Sequence, residues 1–114
     1  HAEAYPSAEL KLGPLALISP DMPTVAIVPD DELLDKNTST LSEIKARKGP
    51  VIALAHHELP IELADRTVVV PRNEPELDPI LMSIPLQLLA YHAAVVLGRD
   101  VDKPRNLAKS VTVE

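Results

Sequence analysis

Twelve prolines divide this chain of 114 residues into short stretches, and among them stand three β-branched apolar runs. Thr24 to Val28 lies between Pro23 and Pro29, Val51 to Ala55 follows Pro50, and Thr67 to Val70 ends at Pro71. Proline fixes its own φ and cannot donate a ladder hydrogen bond, so each run has room for one strand and little more. The runs are apolar at successive positions rather than alternating, the pattern of strands covered on both faces of a parallel sheet. They predict buried strands near 24–28, 51–55 and 67–70.

Between the first two runs, Leu34, Leu41 and Ile44 mark one apolar helical face, with Asp30 or Asp31 placed to cap it and Gly49 to stop it. Thr40-Leu41-Ser42-Glu43 also fits a capping box, so the helix near 31–48 begins at the aspartates or restarts at Thr40. Strand, helix and strand make one right-handed βαβ unit. The link from Ala55 to Thr67 leaves space for a single helical turn.

A second helix near 79–97 takes Asp78 as its cap and Pro79 at its first position, and stops at Gly98. It is apolar almost all round, which predicts burial against a sheet. Ser83, Gln87 and Tyr91, four apart, form its polar line, expected to be satisfied in the core or turned to a site or a second subunit. Residues 99–114 lose this periodicity and read as an irregular tail. The fold class is therefore α/β: a partial three-layer domain over 1–98 and a tail over 99–114. Three strands make a thin sheet with exposed edges, the later half of a larger α/β domain. The first residue is His1 rather than Met, which reads as truncation or processing.

Composition narrows the chemistry. There is no Phe or Trp and there are two Tyr, few anchors for stacking a base or a planar cofactor. A net charge of −6 with unclustered basic residues argues against nucleic acid. With no cysteine there is no disulfide, thiolate metal site or Cys nucleophile, in keeping with a cytoplasmic protein. Ser83, Pro85, Gln87 and His92 interrupt the apolar stretch from Ile80 to Leu97, so it reads as a core helix, not a membrane span.

The three glycines are not spaced for a phosphate loop. His56-His57-Glu58 follows a strand, where open α/β sheets hold ligands, yet adjacent histidines diverge and seldom share a metal, so no metal site is assigned and a solvated loop is expected. His92 is expected to be a hydrogen-bonded core histidine. Thr38-Ser39-Thr40 has phosphate-binding chemistry, but its position inside a helix favours bonding to the backbone. Lys109 has Lys103 and Arg105 close by in the chain, and neighbouring cations lower an amine's pKa towards nucleophilic behaviour.

Pro85-Leu86-Gln87-Leu88-Leu89-Ala90-Tyr91-His92, followed by Asp100-Val101-Asp102-Lys103-Pro104-Arg105-Asn106-Leu107-Ala108-Lys109-Ser110-Val111-Thr112-Val113-Glu114, resembles the carboxyl terminus of the glucosamine-6-phosphate synthases, the glutamine–fructose-6-phosphate aminotransferases. His1-Ala2-Glu3-Ala4-Tyr5 and Gly13-Pro14-Leu15-Ala16-Leu17 resemble the same family in the same order. The resemblance implies the later part of a sugar isomerase (SIS) domain, whose parallel sheet is flanked by helices, plus the tail. It implies a part in making glucosamine 6-phosphate from fructose 6-phosphate and glutamine-derived ammonia, without a cofactor.

By the same resemblance, Lys109 is the lysine that forms a Schiff base with the open-chain ketose, and Ala108 and Ser110 belong to the segment that folds over the sugar. The implied partners are a sugar phosphate and either a second copy of the chain or missing N-terminal domains. One position departs from the family pattern: Leu12 stands where a histidine linked to ring opening is found, and leucine moves no proton. The alternatives are a non-catalytic sugar-phosphate-binding module, a fragment of a related sugar-phosphate isomerase or deaminase, and a remnant that only pairs with another chain.

Overall fold

A computed structural model describes residues 1–107. Two 3₁₀ segments, Ser7–Leu12 and Pro14–Leu17, precede strand β1, Thr24–Val28. Helix α1 covers Leu34–Ala46, β2 Val51–Ala55 and β3 Arg66–Val69. A third 3₁₀ turn, Pro75–Leu77, leads into α2, Asp78–Val96. The chain divides into two compact units, His1–Met82 and Ser83–Glu114, with α2 continuous through the boundary.

The first unit is built on a parallel sheet in the order β1-β2-β3. Thr24 is aligned with Val51 and Val28 with Ala55, while Ile52 is aligned with Arg66 and Ala55 with Val69. β1 and β2 fall where the apolar runs predict them. β3 begins one residue earlier than expected, because Arg66 joins the ladder at the sheet edge. Val70 still donates its N–H to the Ala55 carbonyl at 2.8 Å.

Only β2 is buried along most of its length, so the expectation of three buried strands is corrected. β1 alternates between partly covered and exposed positions, and β3 is exposed at three of its four. Aligned residues share a face, so Val28, Val51, Ala53 and Ala55 lie together. With Leu41 and Ile44 of α1 and Ala64 of the β2–β3 link they form the core. Leu10, Leu15 and Ile18 from the amino-terminal segments close over it.

Helix α1 starts three residues later than expected. The Asp31 carboxylate accepts the Leu33 N–H at 2.8 Å, which holds a turn ahead of the first helical hydrogen bond, from Asn37 N–H to the Leu33 carbonyl at 2.9 Å. Thr40 does not restart the helix: its hydroxyl donates to the Lys36 carbonyl at 3.2 Å, and Thr38 bonds the Asp35 carbonyl. These hydroxyls bond the backbone, as expected of Thr38-Ser39-Thr40.

The stop is shared by two residues. Lys48 takes the left-handed conformation, φ 61°, and the Gly49 N–H reaches the Ile44 carbonyl at 3.2 Å. Gly49 is needed for space, since a Cβ there would sit 2.5 Å from Ile18 Cγ2 and 3.0 Å from Ile44 Cγ2. The β2–β3 link holds one turn, in which the Leu63 and Ala64 N–H groups both bond the Pro60 carbonyl.

Helix α2 ends where Gly98 was placed to end it, with φ 66° and the Arg99 N–H on the Ala94 carbonyl at 2.8 Å. Its start differs from expectation. Asp78 is the first helical residue, and its carboxylate turns to the sheet instead of capping. Met82 is the one buried residue of the helix, while Ile84, Leu88, Val96 and others stand exposed. Pro75–Val96 is also long and apolar enough to cross a membrane, by length and composition only.

Candidate functional site

Parallel strands end their carbonyl-terminal tips on one edge, and loops there carry the groups that meet ligands in open α/β sheets. Here that edge collects Asp30 after β1, His56 and His57 after β2, Arg72 after β3, and Asp78 at the start of α2. The Asp30 side chain is largely buried and lies 3.1 Å, through Oδ1, from His57 Nδ1, with the Arg72 guanidinium on its Oδ2. His57 is half-exposed, as a solvated loop would have it.

His56 is not. Its side chain is 3% exposed, with Nδ1 2.9 Å from the Val70 carbonyl and Nε2 3.2 Å from Asp78 Oδ2. The Val70 carbonyl holds the His56 pKa above its ordinary value, burial opposes this, and the Asp78 carboxylate adds to the rise. The solvated-loop expectation thus fails at His56 because three elements converge on its ring. That convergence depends on the sheet register and on where α2 starts, and no local motif encodes either. Asp30, Arg72 and Asp78 were missed for the same reason.

Leu12, at the end of the first 3₁₀ segment, is 84% exposed and presents an isobutyl group to solvent. Beside it, Lys11 pairs with Glu43 of α1 at 2.7 Å.

The second unit has its own concave surface. An open cleft of about 700 Å³ is lined by Tyr91, Ala94, Gly98, Arg99, Lys103 and Arg105, among others. Asp100 shapes its rim, with Oδ1 accepting the Asp102 and Lys103 N–H groups at 2.9 and 3.0 Å. The polar line along α2 is not a core line, since Gln87 and Tyr91 are exposed. His92 is exposed too, its ring edge-on to Tyr91 with centroids 5.2 Å apart. Ala108, Lys109 and Ser110 lie outside the described residues. Among the described residues, no three of His, Cys, Asp and Glu converge as a metal site.

A parallel sheet with a helix on one face and ligand-type side chains at its carboxyl edge defines a class, and the comparisons give it a family. Residues 1–97 match the SIS domain, and the chain belongs to that family. The chain is 55% identical over 116 aligned residues to the glutamine–fructose-6-phosphate aminotransferase (isomerizing) of Pseudomonas aeruginosa, covering 100% of this chain and 19% of that protein. The enzyme of the same name from Legionella pneumophila is 55% identical over 115 residues, again covering 100% of this chain and 19% of the relative. Among solved structures, the C-terminal domain of the glucosamine-fructose-6-phosphate aminotransferase of Francisella tularensis superposes with a TM-score of 0.83 at 45% identity, covering 91% of this chain and 30% of that one. The chain thus spans about a fifth of the length of these curated relatives.

Proposed function

We propose that this chain supplies the closing part of an isomerase region that forms glucosamine 6-phosphate from fructose 6-phosphate and glutamine-derived ammonia. The observation that carries the reading is similarity along the whole chain to aminotransferases of that name, at 55% identity. In this reading the neutral amine of Lys109 attacks the ketose carbonyl of the open-chain sugar and water leaves. The resulting imine gives the sugar an electron sink. Ala108 and Ser110 line the same segment.

The run from Arg99 to Arg105 supports the amine's role, because Arg99, Lys103 and Arg105 gather at one cleft just before it in the chain. Cations near an amine favour its neutral form. A sugar phosphate is the substrate class, and the preceding segment of a longer protein, or a second copy, completes the site. Leu12 favours a second reading, a sugar-phosphate-binding module without catalysis, since the leucine leaves ring opening to another group.

Incubation of the folded chain with fructose 6-phosphate, reduction with borohydride and peptide mass mapping separate the two. The expected result is a reduced sugar-phosphate adduct on Lys109 that is lost in Lys109→Ala. An adduct confined to other lysines overturns the assignment of Lys109. A folded chain that binds the sugar phosphate without any adduct supports the binding module instead.

A further inference from the structure

We propose that His56, as an imidazolium, is a pH-sensitive latch that holds the first turn of α2 against the carboxyl edge of the sheet. His56 Nδ1 faces the Val70 carbonyl at 2.9 Å and Nε2 faces an Asp78 carboxylate oxygen at 3.2 Å. A carbonyl and an ionised carboxylate both accept and neither donates, so both ring nitrogens carry hydrogen, which is the charged form of histidine. Asp78 is the first residue of α2, at the positive end of the helix dipole. The pair is therefore an ion pair with two donated bonds.

The groups facing this ring come from two directions: the Val70 carbonyl from the end of β3 and the Asp78 carboxylate from α2. On its own loop the neighbouring His57 turns away to Asp30. His56 thus ties together the tip of β2, the tip of β3 and the first turn of α2.

Loss of one proton breaks this arrangement. A neutral ring has one N–H for two acceptors, and Asp78 Oδ1 is already buried without a partner. Neutral His56 leaves either the Val70 carbonyl or Asp78 Oδ2 without its donor beside the unpartnered Oδ1, an arrangement that water relieves only if the turn opens. The latch is complete below the ordinary histidine value of about 6.5. Because the folded value is raised, its contribution persists above that pH and is lost as pH climbs through the folded value.

The test uses the whole chain labelled with ¹⁵N- and ¹³C-histidine. The ring of His1, 86% exposed and 3.4 Å from Glu3 Oε1, serves as the internal reference. The expected result is a His56 ring protonated on both nitrogens at pH 6, with a titration midpoint above that of His1. Amide exchange protection at Ile80–Met82 should fall roughly tenfold across that midpoint, the scale of one charge-assisted hydrogen bond. In Asp78→Asn the His56 midpoint should drop towards that of His1, and in His56→Gln the pH dependence of protection at these amides should vanish. A wild-type midpoint at or below that of His1, a singly protonated ring at pH 6, or protection that ignores the midpoint overturns the proposal. These wild-type readings hold even if a variant fails to fold.

Discussion

On one face of the sheet Val28, Val51 and Ala53 are at most 1% exposed, whereas on the other Val25, Ile27 and Val68 are 37%, 47% and 42% exposed. Both sets are aliphatic, and β1 contributes to each. What differs is cover: α1 and the amino-terminal segments close the first face, while among the described residues the second keeps only Leu54, on the middle strand, out of solvent. Strands that are apolar on both sides are the mark of a sheet covered on both sides. Within the first unit, α1 and the amino-terminal segments are the layer on the covered face.

The largest expected break of this asymmetry is in the covered layer. Leu41 and Ile44 of α1 are each 2% exposed and meet the sheet in the core. Leu41→Ala should cost about 2–5 kcal/mol in urea unfolding, the range for a large-to-small change in a packed interior. A cost below about 1 kcal/mol would mean that α1 is not the layer that stabilises the unit.

A smaller effect sits where α1 is tied to the start of β2. Asp65 accepts the Val51 N–H at 2.7 Å through Oδ2 and the Lys45 ammonium at 2.6 Å through Oδ1. Lys45 first, and the Val51 N–H second, hold the Asp65 pKa below the usual carboxylate value. A depressed value means that the stabilisation is present above the unfolded pKa of about 3.9 and is lost as pH falls through the folded value. Asp65→Asn keeps an acceptor for Val51 and removes the charge. It should be less stable than the wild type at pH 7, with the gap closing in acid and shrinking in high salt, because this pair is partly exposed. A gap that is unchanged at pH 3 would sink the ion-pair account.

The sequence made the backbone legible and the environment much less so. Pro23, Pro29 and Pro50 fix the limits of β1 and β2, and Gly98 fixes the end of α2, because these residues act through their own dihedrals and missing donors. The start of α1 slipped by three residues because a side-chain bond from Asp31 delays the helix, and hydrophobic periodicity does not see such bonds. The site divides in the same way. The tail carrying Lys109 was legible as a contiguous string, whereas His56, Val70 and Asp78 meet only through sheet register and the entry of α2.

The smallest effect is the sharpest test of the two faces. Ile27 lies on the open face, aligned with Leu54, and is about half exposed. In this chain Ile27→Ala removes methylenes that are already partly in water, so its cost in urea unfolding should be about 1 kcal/mol or less. In the longer protein, where a second layer would cover that face, the same substitution should cost about 2–5 kcal/mol, as Leu41→Ala does here. A small cost in both proteins would mean that Val25, Ile27 and Val68 remain a solvent face in the assembled molecule. The apolar pattern of β1 and β3 would then reflect β-propensity alone, and the inference from pattern to a missing layer would fail.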